Sequence, residues 1–378
     1  MKAYKSLMTA LLLGAAAPAG IALTATAAHA QALPPAVGKP LQAAVDAAKK
    51  RNLALAESKI AEARGKASDA NQKKKVAETA AYVYTSLGQW AKAATELQAA
   101  GGSPAQLAPL YYRAGQYGNA IAAAQRAPGN TQMQEIIAQS YYQQGKLADA
   151  GKMYEKMLKS GKVDKGWLVN LSGIQYKMGD KKGYLETVER LIRLDPSKAN
   201  WQRLLTELKK AGLPPAPQLA LMMLMNETGT LGEDDYQTFA KLSILGGQPG
   251  LAANALQKAR DAGKLADDDM SRKLLEAATA RANASAAEAA KLLASAAPAD
   301  QLKAGKLLLG NGDFARAIPA LSKAAAGGDA EALTQLGIAQ IRAGQRPQGT
   351  ATLKKVAAGD TPFAGVASLW ALYGSVGA

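Results

Sequence analysis

The sequence predicts an all-α protein, a right-handed α-solenoid of helical hairpins. Two regularities and one absence predict it. A glycine-centred turn recurs about every thirty residues. Small residues pair twelve positions apart across those turns, and no segment has the alternating period of a β-strand.

The turn pattern is a Gly followed two residues on by a bulky residue and five on by Ala. It is clear at Gly88-Trp90-Ala93, Gly115-Tyr117-Ala120, Gly145-Leu147-Ala150 and Gly312-Phe314-Ala317. Looser copies begin at Gly179, Gly247 and Gly344, and a degraded one at Gly212. Successive spacings are 27, 30, 34, 33, 35, then 65 across a copy that lacks its Gly near Ala284, then 32. The second regularity is independent of the first. The pairs Ala81/Ala93, Ala108/Ala120, Ala138/Ala150, Ala240/Ala252, Ala277/Ala289, Gly305/Ala317 and Gly337/Gly349 place a small residue on each side of a turn. Two antiparallel helices joined tightly can approach closely only where neither side chain is large. Ser172/Tyr184 departs from the rule and implies a splayed or shifted hairpin.

Taken from the N-terminus, residues 1–30 read as a cleaved signal peptide. Lys2 and Lys5 precede an apolar stretch from Leu7 to Ile21, and Ala28-His29-Ala30 supplies a small-x-small cleavage site after Ala30. The expected location is therefore the periplasm. Residues 31–40 contain three prolines and read as a flexible lead-in. Residues 41–69 give one apolar-periodic helical pair, an N-terminal cap or weak repeat. The repeats occupy 70–358. Within them Tyr84, Tyr111 and Tyr141 are expected between helices, while Leu97, Tyr154, Val188, Leu256, Leu293 and Leu321 bridge to the next hairpin. Residues 359–378 form a last helix in which Leu369, Trp370 and Leu372 cover the open end of the stack, as a solenoid requires.

These residues resemble the tetratricopeptide repeat (TPR) family, which implies stacked helix–turn–helix units and a protein-binding role. More loosely, Trp201 to Leu208, Leu219-Ala220-Leu221, the run Asp235 to Leu242, Gly247 to Ala253 and Gly263-Lys264-Leu265 resemble the repeat proteins associated with TonB energy-transduction systems. That resemblance implies a periplasmic accessory of TonB-dependent transport.

Composition constrains the chemistry. The chain has no Cys, and its one His, His29, leaves with the signal peptide. Mechanisms built on Ser-His-Asp or Cys-His are then unavailable, as are thiolate and imidazole metal sites and disulfides. Carboxylate pairs or a Ser-Lys arrangement, as in a hydrolase or transglycosylase without His, stay formally open, but the acids read as helix starts, and no catalytic residue, cofactor or metal is expected. From Gln31 onward the chain carries 44 basic and 30 acidic side chains, a net +14. Such an excess bears on association rather than on fold. In an exported protein it favours anionic envelope partners over nucleic acid, or is simply a solvated basic surface. The apolar stretch Leu219 to Met225 is too short to cross a membrane.

Candidate binding residues are set by the turns. The position three before each Gly is expected to face the concave groove, giving Thr85, Tyr112, Tyr142, Tyr176, Lys209, Ile244, Leu309 and Ile341. Tyr82 and Lys241 lie one helical turn away, and Asn170 can hydrogen-bond a peptide backbone. The candidate groove is thus Tyr82, Tyr112, Tyr142, Asn170, Tyr176, Lys209 and Lys241, suited to protein or peptide partners in the cell envelope. The alternative is that the tyrosines only pack against neighbouring helices.

Lys73-Lys74-Lys75, Lys181-Lys182 and Lys209-Lys210 either receive an acidic tail or are helix C-terminal lysines. Glu233-Asp234-Asp235 and Asp267-Asp268-Asp269 read as helix N-caps rather than calcium loops. Gly310-Asn311-Gly312 reads as a hairpin turn, since no strand precedes it. The leading functional expectation is a scaffold for partner proteins. Its rival is a cell-envelope accessory in polysaccharide or lipid export or assembly that binds an anionic polymer.

Overall fold

The computed structural model describes residues 33–161, 163–265 and 267–376; the expected signal peptide, 1–30, lies outside them. Twenty α-helices and one 3₁₀ turn account for the regular structure, with no strand among the described residues. The chain divides into two compact units, Met1–Thr187 and Val188–Ala378.

The first unit contains α1 (Pro35–Lys49), α2 (Leu53–Lys66), α3 (Ala70–Ser86), α4 (Trp90–Ala99), α5 (Pro104–Arg113), α6 (Tyr117–Gln125), α7 (Thr131–Gln143), α8 (Leu147–Lys159), α9 (Lys165–Met178) and the start of α10 (Lys181–Leu194). Helices pack mainly on their neighbours in sequence, with next-but-one contacts such as α1 on α3 and α5 on α7. This serial packing is the signature of a solenoid.

The turns obey the sequence rule. All eight glycines read as turn residues have φ between 66° and 82°, a region costly for most side chains and free to Gly. The small pairs are buried: Ala81 and Ala93, Ala108 and Ala120, and Ala138 and Ala150 are at most 2% exposed. Gly337 and Gly349 approach so closely that a Cβ on Gly349 would lie 2.6 Å from the Gly337 carbonyl oxygen. At the divergent pair, Ser172 and Tyr184 are both buried, and the Tyr184 ring tilts against Tyr176 at 5.6 Å.

Several expectations are corrected. Within the segment read as a flexible lead-in, 31–40, the residues from Pro35 onward are helical, because α1 starts there and contains Pro40. Proline suits the first helical turn, where its missing N–H has no partner to lose, and Pro40 is buried with Val37 and Leu41. The pair Ala277/Ala289 spans no turn. Both residues lie in one unbroken helix, α15 (Asp269–Leu293), because no residue there relieves a left-handed turn and the helix continues. Lys73–Lys75 and Lys181–Lys182 lie in the N-terminal halves of α3 and α10 rather than at helix C-termini. The helix dipole therefore does not explain them.

The second unit runs through α11 (Lys198–Lys209), α12 (Pro215–Glu227), α13 (Asp235–Leu245), α14 (Pro249–Asp261), α15, α16 (Pro298–Gly310), α17 (Phe314–Ala324), α18 (Ala330–Arg342), α19 (Arg346–Ala357) and α20 (Ala364–Ser375). Here the last helix does more than cap an end. Helix α12 is apolar all round, with Leu219 through Met225 buried without interruption, so it needs cover on every side. Helix α20 supplies it. The Trp370 indole N–H donates to the Ala220 carbonyl at 2.8 Å, and Tyr373 packs edge-on against Trp201 of α11 at 5.9 Å. Arg342 of α18 joins the closure by an ion pair of 3.0 Å to Glu227. The second unit thus closes end to end on itself.

Candidate functional site

The groove-register positions of the second unit differ among themselves: Lys209 is exposed and Ile244 half-buried. In the second unit Leu309 is 0% and Ile341 4% exposed, so they are core and not groove. In the first unit Tyr112 and Tyr142 are half-buried and Tyr176 is exposed. Among the register positions, the accessible aromatic side chains are therefore those of the first unit.

Tyr112, near the end of α5, and Tyr142, near the end of α7, line one recess with Gln139, Gln143, Tyr154, Asn170 and Ile174. Its volume is about 350 Å³, part of it open to solvent. The repeat explains the register, since Tyr112 and Tyr142 each stand three residues before a turn Gly. Gln139, Tyr142 and Gln143 fall at i, i+3 and i+4 on α7 and so share one face. Ile174 of α9 contributes apolar wall.

The floor is a satisfied polar pair. The Asn170 Nδ2 donates to the Tyr154 hydroxyl at 3.0 Å, and both side chains are buried. Burial pushes the Tyr154 hydroxyl far above its ordinary value, with the bond from Asn170 acting in the opposite direction. Tyr112 is raised by burial as well, its hydrogen bond with Gln143 lowering it in part. Both phenols remain neutral at physiological pH. At the rim Lys177 donates to the Tyr142 hydroxyl, with its ammonium 4.6 Å from the ring centroid. The Trp167 indole N–H donates to Glu135 at 2.6 Å and ties α9 to α7 alongside. The recess thus presents neutral hydroxyls, side-chain amides and ring faces with one cation at its edge. None of the side chains lining it is a carboxylate or a lysine. No group of three or more His, Cys, Asp or Glu able to hold a metal occurs among the described residues.

Of the sequence candidates, the structure brings together Tyr112, Tyr142 and Asn170. Asn170 faces the floor and holds Tyr154. Tyr176 stands apart, against Tyr184. Tyr82 lines a different recess with Val45, Ala48, Lys49, Arg51 and Ser86. Lys209 and Lys241 lie on the second unit; Lys209 is ion-paired with Asp235 and Lys241 is exposed. The reading of Glu233-Asp234-Asp235 as an N-cap is corrected too: Asp234 holds the cap position but makes no side-chain cap bond, and the Asp235 carboxylate accepts from Lys209 and from the Gly232 N–H at 3.0 Å. Asp268 does cap its helix, accepting from the Ser271 N–H at 2.7 Å. Gln139, Gln143 and Lys177 escaped the sequence reading, although the shared face of Gln139, Tyr142 and Gln143 is visible in their spacing. Tyr154 was placed as a bridge between hairpins, and its hydroxyl is also part of the recess.

No protein-family model matches the sequence, and no curated protein is similar to it. Among solved structures, the chain is similar to a tetratricopeptide repeat protein from Parabacteroides merdae, at 14% identity over 65% of this chain and 100% of that one, TM-score 0.36. It is similar also to the TPR2AB domain of yeast Sti1 in complex with pHSP90, at 14% identity over 71% and 95%, TM-score 0.25. Yeast Tom70 matches at 11% identity over 90% and 96%, TM-score 0.23. Likenesses of this order bear on the fold alone, and nothing about a partner passes from them to this chain.

Proposed function

We propose that the chain is a non-catalytic scaffold that holds an extended segment of a partner protein in the tyrosine-lined recess of its first unit. The observation that carries this reading is the recess itself: Tyr112 and Tyr142, at the same register before successive turns, line it together with the amides of Gln139 and Gln143. Side-chain amides of Gln139 and Gln143 suit the N–H and C=O groups of an extended peptide, and ring faces suit its apolar side chains. The Tyr154–Asn170 pair holds the floor in place, so little ordering accompanies binding.

The setting we propose is the periplasm, with TonB-linked transport as the most specific form. It is supported by Lys2, Lys5, the apolar stretch Leu7 to Ile21 and Ala28-His29-Ala30, and by the resemblance over 201–265. The rival, binding of an anionic envelope polymer, is favoured by the net charge and by the exposed Lys152, Lys156 and Lys159 along α8.

A photoreactive residue in place of Tyr142, activated in intact cells, tests the reading. The expected adduct is a protein, and recovery of TonB-system components would support the specific form. Recovery of polysaccharide alone would overturn the scaffold reading. Salt separates the two rivals independently, because a polymer held by charge is released steeply as ionic strength rises, whereas a segment held by the recess is not.

A further inference from the structure

The first hairpin turn breaks the rule that the other turns obey. At Gly88 the amide bonds back to Thr85 O and the next amide, Gln89, to Tyr84 O. At the first turn the same two bonds run from Arg51 to Ala48 O and from Asn52 to Ala47 O. Arg51 therefore occupies the turn-glycine position, with φ 54°, and it is the one non-glycine residue with positive φ among the described residues. Glycine would take this conformation without strain. An arginine held in it signals that its side chain has a use, since strained backbone concentrates at functional sites.

The surroundings indicate that use. Arg51 lines the second recess, about 470 Å³ and open to solvent, with Lys49, Val45, Ala48, Tyr82 and Ser86. Of its two cations, Lys49 is shared with Asp46 at 3.1 Å, whereas Arg51 has no ion pair among the described residues. Tyr82 is 45% exposed beside it, and Val45 and Ala48 give an apolar wall. We propose that this recess is a binding site, separate from the tyrosine recess, for a monocarboxylate carried on an apolar or aromatic body. The planar guanidinium fork matches the two coplanar oxygens of a carboxylate. A single unshared cation suits one negative charge better than a dianionic phosphate. The Tyr82 ring and the aliphatic wall take the body of the ligand.

The test uses the full chain with benzoate as probe, titrated by NMR or calorimetry. Acetate and benzyl alcohol serve as controls for the carboxylate alone and the ring alone. Benzoate is expected to bind saturably and more tightly than either control. Arg51→Gly is expected to weaken it by at least about tenfold, the loss of a charged hydrogen-bonding partner. Because glycine relieves the turn, the same variant should keep or raise the melting temperature, so loss of binding cannot be ascribed to unfolding. Tyr82→Ala should weaken benzoate while leaving acetate unchanged. The proposal falls if benzoate does not saturate, if Arg51→Gly binds it as the parent does, if inorganic phosphate competes better than benzoate, or if Arg51→Gly lowers the melting temperature.

Discussion

Trp370 donates its indole N–H to the carbonyl oxygen of Ala220, 2.8 Å away and 150 residues earlier in the chain. Trp370 is wholly buried. The bond lies where the last helix of the second unit meets the apolar helix near its start. Trp370→Phe removes the donor and keeps most of the ring, with an expected loss of about 1 kcal/mol. Trp370→Ala also opens a cavity, with an expected loss of about 3–5 kcal/mol. Urea unfolding followed by circular dichroism measures both, and equal effects of the two variants would refute the assignment.

Close approach at the hairpins makes opposite predictions for two glycines. Gly349→Ala places a methyl 2.6 Å from the Gly337 carbonyl oxygen and 2.6 Å from Ile341 Cγ1. It should destabilise by about 1–3 kcal/mol. Gly173→Ala, inside α9 with nothing within 4 Å of its Cβ, should stabilise by up to about 1 kcal/mol through helix propensity. Thermal melts of the two variants should move in opposite directions.

The buried pair under the tyrosine recess should behave as a unit. Tyr154→Phe leaves Asn170 without its acceptor, and Asn170→Leu removes the donor at 3.0 Å from the Tyr154 hydroxyl, leaving it the bond with Gln139. Each is expected to destabilise by about 1–3 kcal/mol. The double variant should lose clearly less than the sum of the singles, a coupling that a double-mutant cycle reads directly. Additive losses would mean that the two side chains act separately.

Tyr154 also sets a pH response. Its folded-state pKa lies above the ordinary value of 10.0 because burial disfavours the phenolate. The contribution of a group raised in this way is fully present below the unfolded value. It is lost as pH rises from there through the folded one, because only the unfolded chain ionises readily. Stability of the parent should therefore decline above pH 10, and Tyr154→Phe should flatten that decline. At the acid end the signs reverse. Asp313, lowered chiefly by its hydrogen bond from Arg316, contributes above the ordinary carboxylate value of 3.8 and loses that contribution as pH falls below it. Denaturant titrations across both limbs, with Asp313→Asn for the acid one, check the directions.

The turns were legible because glycine is the residue that enters a left-handed conformation freely, so Gly88, Gly115 and Gly145 marked their own positions. The paired alanines were legible because close helices exclude everything larger. The hidden features were non-local. Nothing near Trp370 says that its hydrogen-bond acceptor is Ala220. The absent glycine near Ala284 announced a missing turn, yet a period-based reading still placed a hairpin there where one helix runs straight through. Tyr112 and Tyr142 were found through their register. Gln139 and Gln143 were not, because side-chain amides carry no periodic signal until the face they share is known. The Lys209–Asp235 pair was hidden for a related reason: the partner belongs to a different helix.

End-to-end contact has a corollary for how the two units can change length. Inserting or deleting one hairpin in an open row shifts the later hairpins by one step and leaves each neighbouring interface intact. In the second unit the same edit would separate Trp370 from Ala220 and Arg342 from Glu227, so its number of hairpins is set by geometry. The first unit is under no such constraint between α3 and α8, and a library of hairpin duplications should be tolerated there and rejected between α13 and α19.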